Sequence, residues 1–86
     1  MADYRVLIKP SALKELEKLP KRDLKWITEK IQSLSFNPRP PGCEKLSALE
    51  RYRIRQGNYR AVCFIENDQM RITIYKIDHR RDVYKG

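Results

Sequence analysis

Arginines occupy alternate positions in the stretch 51–60, RYRIRQGNYR, and their chemistry suits the binding of an anion. A guanidinium group presents a flat fork of hydrogen-bond donors that matches a phosphate. The Gly-Asn pair inside the stretch is a favoured two-residue hairpin connection. Pairing about that turn sets Arg55 opposite Arg60, and Arg53 shares their face because alternate strand residues point the same way. Like charges facing each other destabilise a sheet, so this pattern predicts an anion among the three arginines.

The overall charge agrees with an anionic partner. The 86 residues carry a formal net charge of +8, from 19 Lys and Arg against 11 Asp and Glu. The pI of about 9.8 is typical of nucleic-acid-binding domains, although a basic domain can also bind an acidic protein or be merely soluble. Arginine dominates the basic residues of the C-terminal half, which favours phosphate recognition. The length and the 41% of apolar residues indicate one folded domain spanning 1–86.

Other classes of site find little support. Cys43 and Cys63 have no close spacing and no neighbouring histidine cluster, so we expect two reduced thiols and no metal site. No apolar run is long enough to cross a membrane, and the N-terminus lacks a signal-peptide core. These features predict a cytoplasmic protein without a membrane partner.

The N-terminal half predicts one strand and two helices. Residues 3–9 alternate as a strand with one face on a core. The Pro-Ser pair that follows opens a first helix, which Ser11 would cap and in which Leu13 and Leu16 form the apolar stripe. A second helix runs from about 21 to 35, and its stripe consists of Leu24, Ile27, Ile31 and Leu34.

The C-terminal half predicts a three-stranded antiparallel meander. If the second hairpin is as tight as the first, Tyr75 stands opposite Arg60. The first strand then joins the edge of the meander, which gives an α+β fold with both helices on one face of a single sheet. The other face would carry the arginines with Val62, Phe64 and Tyr75. The expected strands are about 51–56, 59–66 and 70–77, after a loop at 37–42.

Two motifs carry a resemblance to a known family. The run Tyr52-Arg-Ile-Arg-x-Gly-x-Tyr-Arg60, followed by Ile77-Asp-His-Arg-Arg-Asp-Val-Tyr84, resembles the RelE/ParE toxin superfamily, and most of all its RelE-type mRNA interferases. The resemblance implies the toxin of a type II toxin–antitoxin system, held silent by a cognate antitoxin. It also implies an endoribonuclease that enters the ribosomal A site, contacts rRNA and cuts mRNA without a metal or organic cofactor. The alternative is a ParE-like inhibitor of DNA gyrase, which shares the fold but lacks nuclease activity.

The resemblance also implies the site residues. Arg53 and Arg55 stand where familiar RelE enzymes often have lysines, which leaves the general base open. His79 is a candidate for it, although a lone histidine is more often structural. Glu44 is a second candidate, against its simpler reading as a surface charge. The implied catalytic residues are Arg60, Arg80, His79 and Tyr84, and the implied RNA-binding residues are Arg53, Arg55 and Arg81.

Overall fold

The computed structural model of the chain describes residues 3–46 and 50–79. The order of elements confirms the predicted α+β fold, with one short strand more than expected. The elements are β1 (Arg5–Ile8), α1 (Pro10–Glu17), α2 (Lys21–Ser33), β2 (Glu44–Lys45), β3 (Arg51–Gln56), β4 (Tyr59–Glu66), a 3-10 turn (Asn67–Gln69) and β5 (Arg71–His79).

The strands form one five-stranded sheet in the order β1-β5-β4-β3-β2. The three C-terminal strands are antiparallel to one another, and β2 adds antiparallel to β3. β1 joins the meander alongside β5 as predicted, and it does so in parallel. A parallel connection needs a long crossover, and here α1 and α2 supply it across one sheet face. The other face, which we call the open face, carries the arginines of β3.

The core lies between the two helices and the sheet. The α2 stripe is confirmed, with Ile27, Ile31 and Leu34 buried. In α1 the expectation is confirmed for Leu16, which is buried, but it was wrong for Leu13, because this side chain is 46% exposed and Ala12 is buried instead. The Ser11 cap was also wrong, because the helix begins at Pro10 and Ser11 lies within it. The buried sheet residues of this core are Tyr52, Ile54, Tyr59, Ala61, Cys63, Ile65, Ile72, Ile74 and Ile77.

The second hairpin is not tight, and the expected pairing of Tyr75 with Arg60 was wrong. The 3-10 turn ends at Met70 in the left-handed conformation (φ 49°), which adds residues to the connection. A register shift beside Val62 displaces the pairing once more, so that Asp78 stands opposite Arg60. Such a bulge inserts one residue and changes which side chains share a face. The end of β5 therefore turns Ile77 toward the helices.

Two further features concern the predictions on membrane spans and on the cysteines. Neither described helix is both long and apolar enough to span a membrane. Both cysteines are free thiols, and Cys63 is fully buried in the core. Burial raises the pKa of the Cys63 thiol to about 12, so this side chain behaves as a small apolar residue.

Candidate nucleic-acid interface

The first hairpin gathers three of the predicted site residues. Its register is the one that the sequence predicts, with Arg55 directly opposite Arg60 and Arg53 opposite Val62. The intervening residues, such as Ile54, are buried under the helices, so the arginines project from the open face. Arg53, Arg55 and Arg60 therefore form one cluster, which we call the arginine cluster.

A carboxylate sits within the arginine cluster. Glu44 pairs with Arg53 across β2 and β3. Its Oε2 accepts a hydrogen bond from a terminal nitrogen of Arg53 at 2.9 Å, and its Oε1 lies 2.8 Å from a terminal nitrogen of Arg55. The Glu44 side chain remains 44% exposed, so solvent and ligands reach it. Glu44 is thus a surface charge, as its simpler reading expected, and it is also the counter-ion of the arginine cluster.

The pKa of Glu44 indicates which kind of ligand the arginine cluster can bind. The hydrogen bond from Arg53 lowers the pKa of the Glu44 carboxyl, and the charges of Arg53, Arg55 and Arg60 lower it further. The cluster thus stabilises an anion with two oxygens at hydrogen-bond distance, and a phosphate group meets the same requirement. A carboxylate held in this way is a weak proton acceptor. Within residues 3–46 and 50–79, no three His, Cys, Asp or Glu side chains come together as metal ligands.

His79 does not join the arginine cluster. It pairs with Tyr59 across β4 and β5, and the two rings meet edge to face with centroids 4.7 Å apart. The Tyr59 hydroxyl donates a 2.6 Å hydrogen bond to Asp23 on α2, which fixes this pair on the helix side of the sheet. That hydrogen bond raises the pKa of Tyr59 to about 12. The β5 residue that pairs with Arg60 and shares its face is instead Asp78.

The three site residues of the tail lie outside the described residues. Arg80, Arg81 and Tyr84 follow the end of β5, and their roles stay predictions.

A second cluster on the open face was not among the predicted site residues. Phe64 and Tyr75 stack with centroids 4.9 Å apart and an interplanar angle of 27°. The guanidinium carbon of Arg51 lies 5.5 Å from the centre of the Phe64 ring and 5.8 Å from that of Tyr75. Strand alternation placed both rings on this face, and the register explains why they touch, because Phe64 pairs with Thr73 and Tyr75 lies two residues further along β5.

Comparison with known proteins supports this architecture. Residues 6–84 match the family model described as the ParE toxin of the type II toxin–antitoxin system parDE. The protein named toxin RelE1 of Methanocaldococcus jannaschii is 35% identical over 96% of this chain and 97% of its own length. The toxin–antitoxin complex RelBE2 of Mycobacterium tuberculosis contains a chain with a TM-score of 0.80 and 29% identity, covering 93% of this chain and 94% of that one. The archaeal RelE–RelB complex of Pyrococcus horikoshii contains a chain with a TM-score of 0.79 and 28% sequence identity. The match covers 90% of this chain and 94% of that one.

Proposed function

The chain belongs to the ParE toxin family of type II toxin–antitoxin systems, within the RelE/ParE superfamily, and from this premise we propose that it is a ribosome-dependent endoribonuclease. In this proposal the toxin cuts mRNA in the ribosomal A site and thereby stops translation in the cytoplasm. The relative that is 35% identical carries the name RelE1, and this name supports the nuclease over other activities of the superfamily.

The single observation that carries the proposal is the arginine cluster with its exposed counter-ion. Three guanidinium groups share one face of a rigid hairpin, and the anion among them is a side chain that solvent reaches. Fixed donors of this kind can bind the phosphate of a ribose-phosphate chain and stabilise the charge that develops on it during cleavage. The open position of Glu44 lets a phosphate replace it.

The reaction that fits such a site needs no metal. The 2′-hydroxyl of the ribose attacks the adjacent phosphorus, and the bond to the 5′ oxygen of the next nucleotide breaks. The 2′ proton goes to a base, the leaving oxygen takes a proton from an acid, and a 2′,3′-cyclic phosphate remains. DNA lacks the attacking hydroxyl, so the reaction is confined to RNA. We assign phosphate stabilisation to Arg60 and Arg80, and backbone contacts to Arg53, Arg55 and Arg81.

The proton transfers are harder to assign. Arginine does not deprotonate in proteins, and the arginines around Glu44 weaken it as a base. His79 contacts Tyr59 on the helix side, which does not support a role as the base at Arg60. In the proposal Tyr84 orients the attacking hydroxyl or exchanges its proton.

Mutation of Arg60 tests the proposal. Arg60→Ala removes one donor from the cluster, and we expect cleavage to fall by roughly 10²–10³-fold. Arg22→Ala, an exposed arginine on α2, is the matched control and should keep full activity. Both variants are expressed in growing cells, and transcript 5′ ends are mapped with translation running and then blocked. New ends that persist in Arg60→Ala, or that form equally without translation, would contradict the mechanism.

We also propose a second candidate function, because the family model that matches this chain is described as a ParE toxin. A ParE-like protein would bind DNA gyrase and need no nuclease chemistry. A topoisomerase assay separates the two functions, since a gyrase inhibitor causes cleaved DNA to accumulate while mRNA stays intact.

The proposed partners are the ribosome with its mRNA and a cognate antitoxin. The solved relatives from Mycobacterium tuberculosis and Pyrococcus horikoshii are described as toxin–antitoxin and RelE–RelB complexes, which supports an antitoxin partner here. Co-expression with the candidate antitoxin should suppress growth arrest by this chain.

A further inference from the structure

We propose that Arg51, Phe64 and Tyr75 form a stacking subsite for one unpaired nucleobase of single-stranded RNA. We call this set the aromatic subsite. The inference rests on the proposed function, because it extends the RNA contacts of the open face beyond the arginine cluster.

The geometry of the aromatic subsite is that of a platform rather than a core. Its side chains are all partly exposed, and they project from the face that the helices do not cover. Phe64 stands directly opposite Arg51 in the register of β3 and β4. The two rings stack on each other, and the guanidinium lies within 6 Å of both ring centres, which is the range of a cation–π contact.

The register of β4 and β5 builds this platform. Val62 pairs with Lys76 and Cys63 pairs with Ile74, so Tyr75 is the additional residue between them. Tyr75 keeps the face of Thr73, which is the partner of Phe64, and is therefore a diagonal neighbour of Phe64. Here the ring of Tyr75 reaches Phe64, and the two apolar surfaces meet beside a row of charges.

The state of Arg51 indicates the chemistry of the ligand. Among the described residues no carboxylate lies within ion-pair distance of its guanidinium, and its buried Nε has no hydrogen-bond partner. An apolar protein segment on the rings would bury this cation unpaired, which is costly. An acidic side chain would satisfy the cation but leave the rings uncovered. A nucleotide satisfies both, since it joins a flat aromatic base to a phosphate.

The position of the aromatic subsite favours RNA for a further reason. Arg51 is two residues from Arg53 on the same strand, a distance of roughly 7 Å along β3. One RNA strand can therefore place a phosphate on the arginine cluster and a neighbouring base on the rings. Aromatic side chains on an open sheet are a general means of binding unstacked bases.

Binding of a non-cleavable RNA tests the subsite apart from catalysis. The probe is a fluorescently labelled single strand of 2′-O-methyl nucleotides, which lacks the attacking hydroxyl, and anisotropy measures its Kd. Phe64→Leu, Tyr75→Leu and the double variant remove the rings but keep apolar side chains on the strands. We expect the double variant to bind about 5- to 150-fold more weakly, the range for loss of one stacked base. The salt dependence of Kd should not change, because no phosphate contact is removed.

Two controls complete the test. Phe36→Leu removes a 74% exposed aromatic ring that lies outside the open face and should leave Kd unchanged. An abasic strand with the same phosphates should bind the wild type and the double variant equally. Thermal unfolding checks that the variants fold. If the double variant does not fold, the wild type must still prefer RNA over the abasic strand at least about five-fold.

The outcomes separate the subsite from the nuclease. Unchanged RNA affinity in the folded double variant overturns the subsite and leaves the two rings to a protein partner. Failure of the wild type to bind the probe also overturns it. A wild type that binds through the rings but cleaves no mRNA supports the subsite and refutes the nuclease.

Discussion

Replacing Glu44 by glutamine should strengthen the binding of RNA to the open face. The carboxylate contacts Arg53 and Arg55 at 2.9 and 2.8 Å, so it occupies the donors that a phosphate needs. Glutamine keeps the shape of the side chain but removes its charge. The positive charge of the arginine cluster, counted with residue 44, then rises from two to three.

The magnitude follows from counter-ion release. Neutralising one more phosphate on a single strand steepens the plot of log affinity against log salt by about 0.7. A four-fold change in salt, from about 50 to 200 mM, then changes the ratio of the two affinities by about 2.5-fold. The variant should therefore bind more tightly than the wild type, and its advantage should be greatest at low salt. Because the ion pairs are exposed, the fold should tolerate their loss.

The assay is the anisotropy titration of a non-cleavable RNA at several salt concentrations. Glu66→Gln is the matched control, because Glu66 also holds an arginine on the open face, with two contacts to Arg71 at 3.0 and 3.1 Å. Both substitutions raise the net charge of the protein by one unit. If the effect is local to the arginine cluster, only the Glu44→Gln substitution changes the slope of log affinity against log salt.

Two results would refute the reasoning. Equal slopes in the Glu44→Gln and Glu66→Gln variants would mean that net charge alone governs binding. Weaker RNA binding by Glu44→Gln would mean that the carboxylate organises the arginines for the substrate rather than competing with it.

Three further predictions concern the remainder of the chain. His79→Gln should keep cleavage within about ten-fold of the wild type on translating ribosomes, since His79 faces Tyr59 rather than the arginine cluster; a loss of 10² or more would restore it as a catalytic group. Gly57→Ala should destabilise the fold by about 1–2 kcal/mol in urea unfolding, because Gly57 has φ +60° and a Cβ there would lie 2.4 Å from the Trp26 ring; the penalty should shrink in a Trp26→Ala background. Tyr59→Phe should cost about 1 kcal/mol at pH 7 by removing the hydrogen bond to Asp23. The pKa of Tyr59 is raised to about 12, so the wild type should hold this advantage below about pH 10 and lose it as the pH rises toward 12.

The sequence predicted those parts of the fold that depend on local patterns. A tight turn fixes the register of a hairpin, so the Gly57-Asn58 pair was enough to place Arg55 opposite Arg60. Helical spacing was enough to find the α2 stripe, since apolar residues three and four apart lie on one side of a helix. Three of the four predicted residues, Ile27, Ile31 and Leu34, are buried.

The errors arose where a tertiary contact decides the structure. A strand of two residues shows no alternation, so β2, and with it the contact of Glu44 with the arginines, could not be read from the pattern. The longer turn after β4 and the bulge beside Val62 shifted β5, and this shift moved His79 to the helix side. The longer turn displaces Tyr75 by two residues and leaves its face unchanged, whereas the one-residue bulge transfers the side chains that follow it to the other face. The error for Tyr75 and the position of His79 therefore have different causes.

If the open face binds RNA as proposed, it must satisfy two opposing demands, and Glu44 meets both. Folding requires that the repulsion between Arg55 and Arg60 be compensated, because like charges directly opposite destabilise a sheet. Binding of RNA requires that the same arginines be available to a phosphate. A buried counter-ion would meet the first demand but resist displacement, since breaking a buried ion pair is strongly unfavourable. A half-exposed carboxylate on a two-residue edge strand can hold the arginines while the site is empty and release them at small cost, so in the proposed function the short β2 serves binding as well as folding.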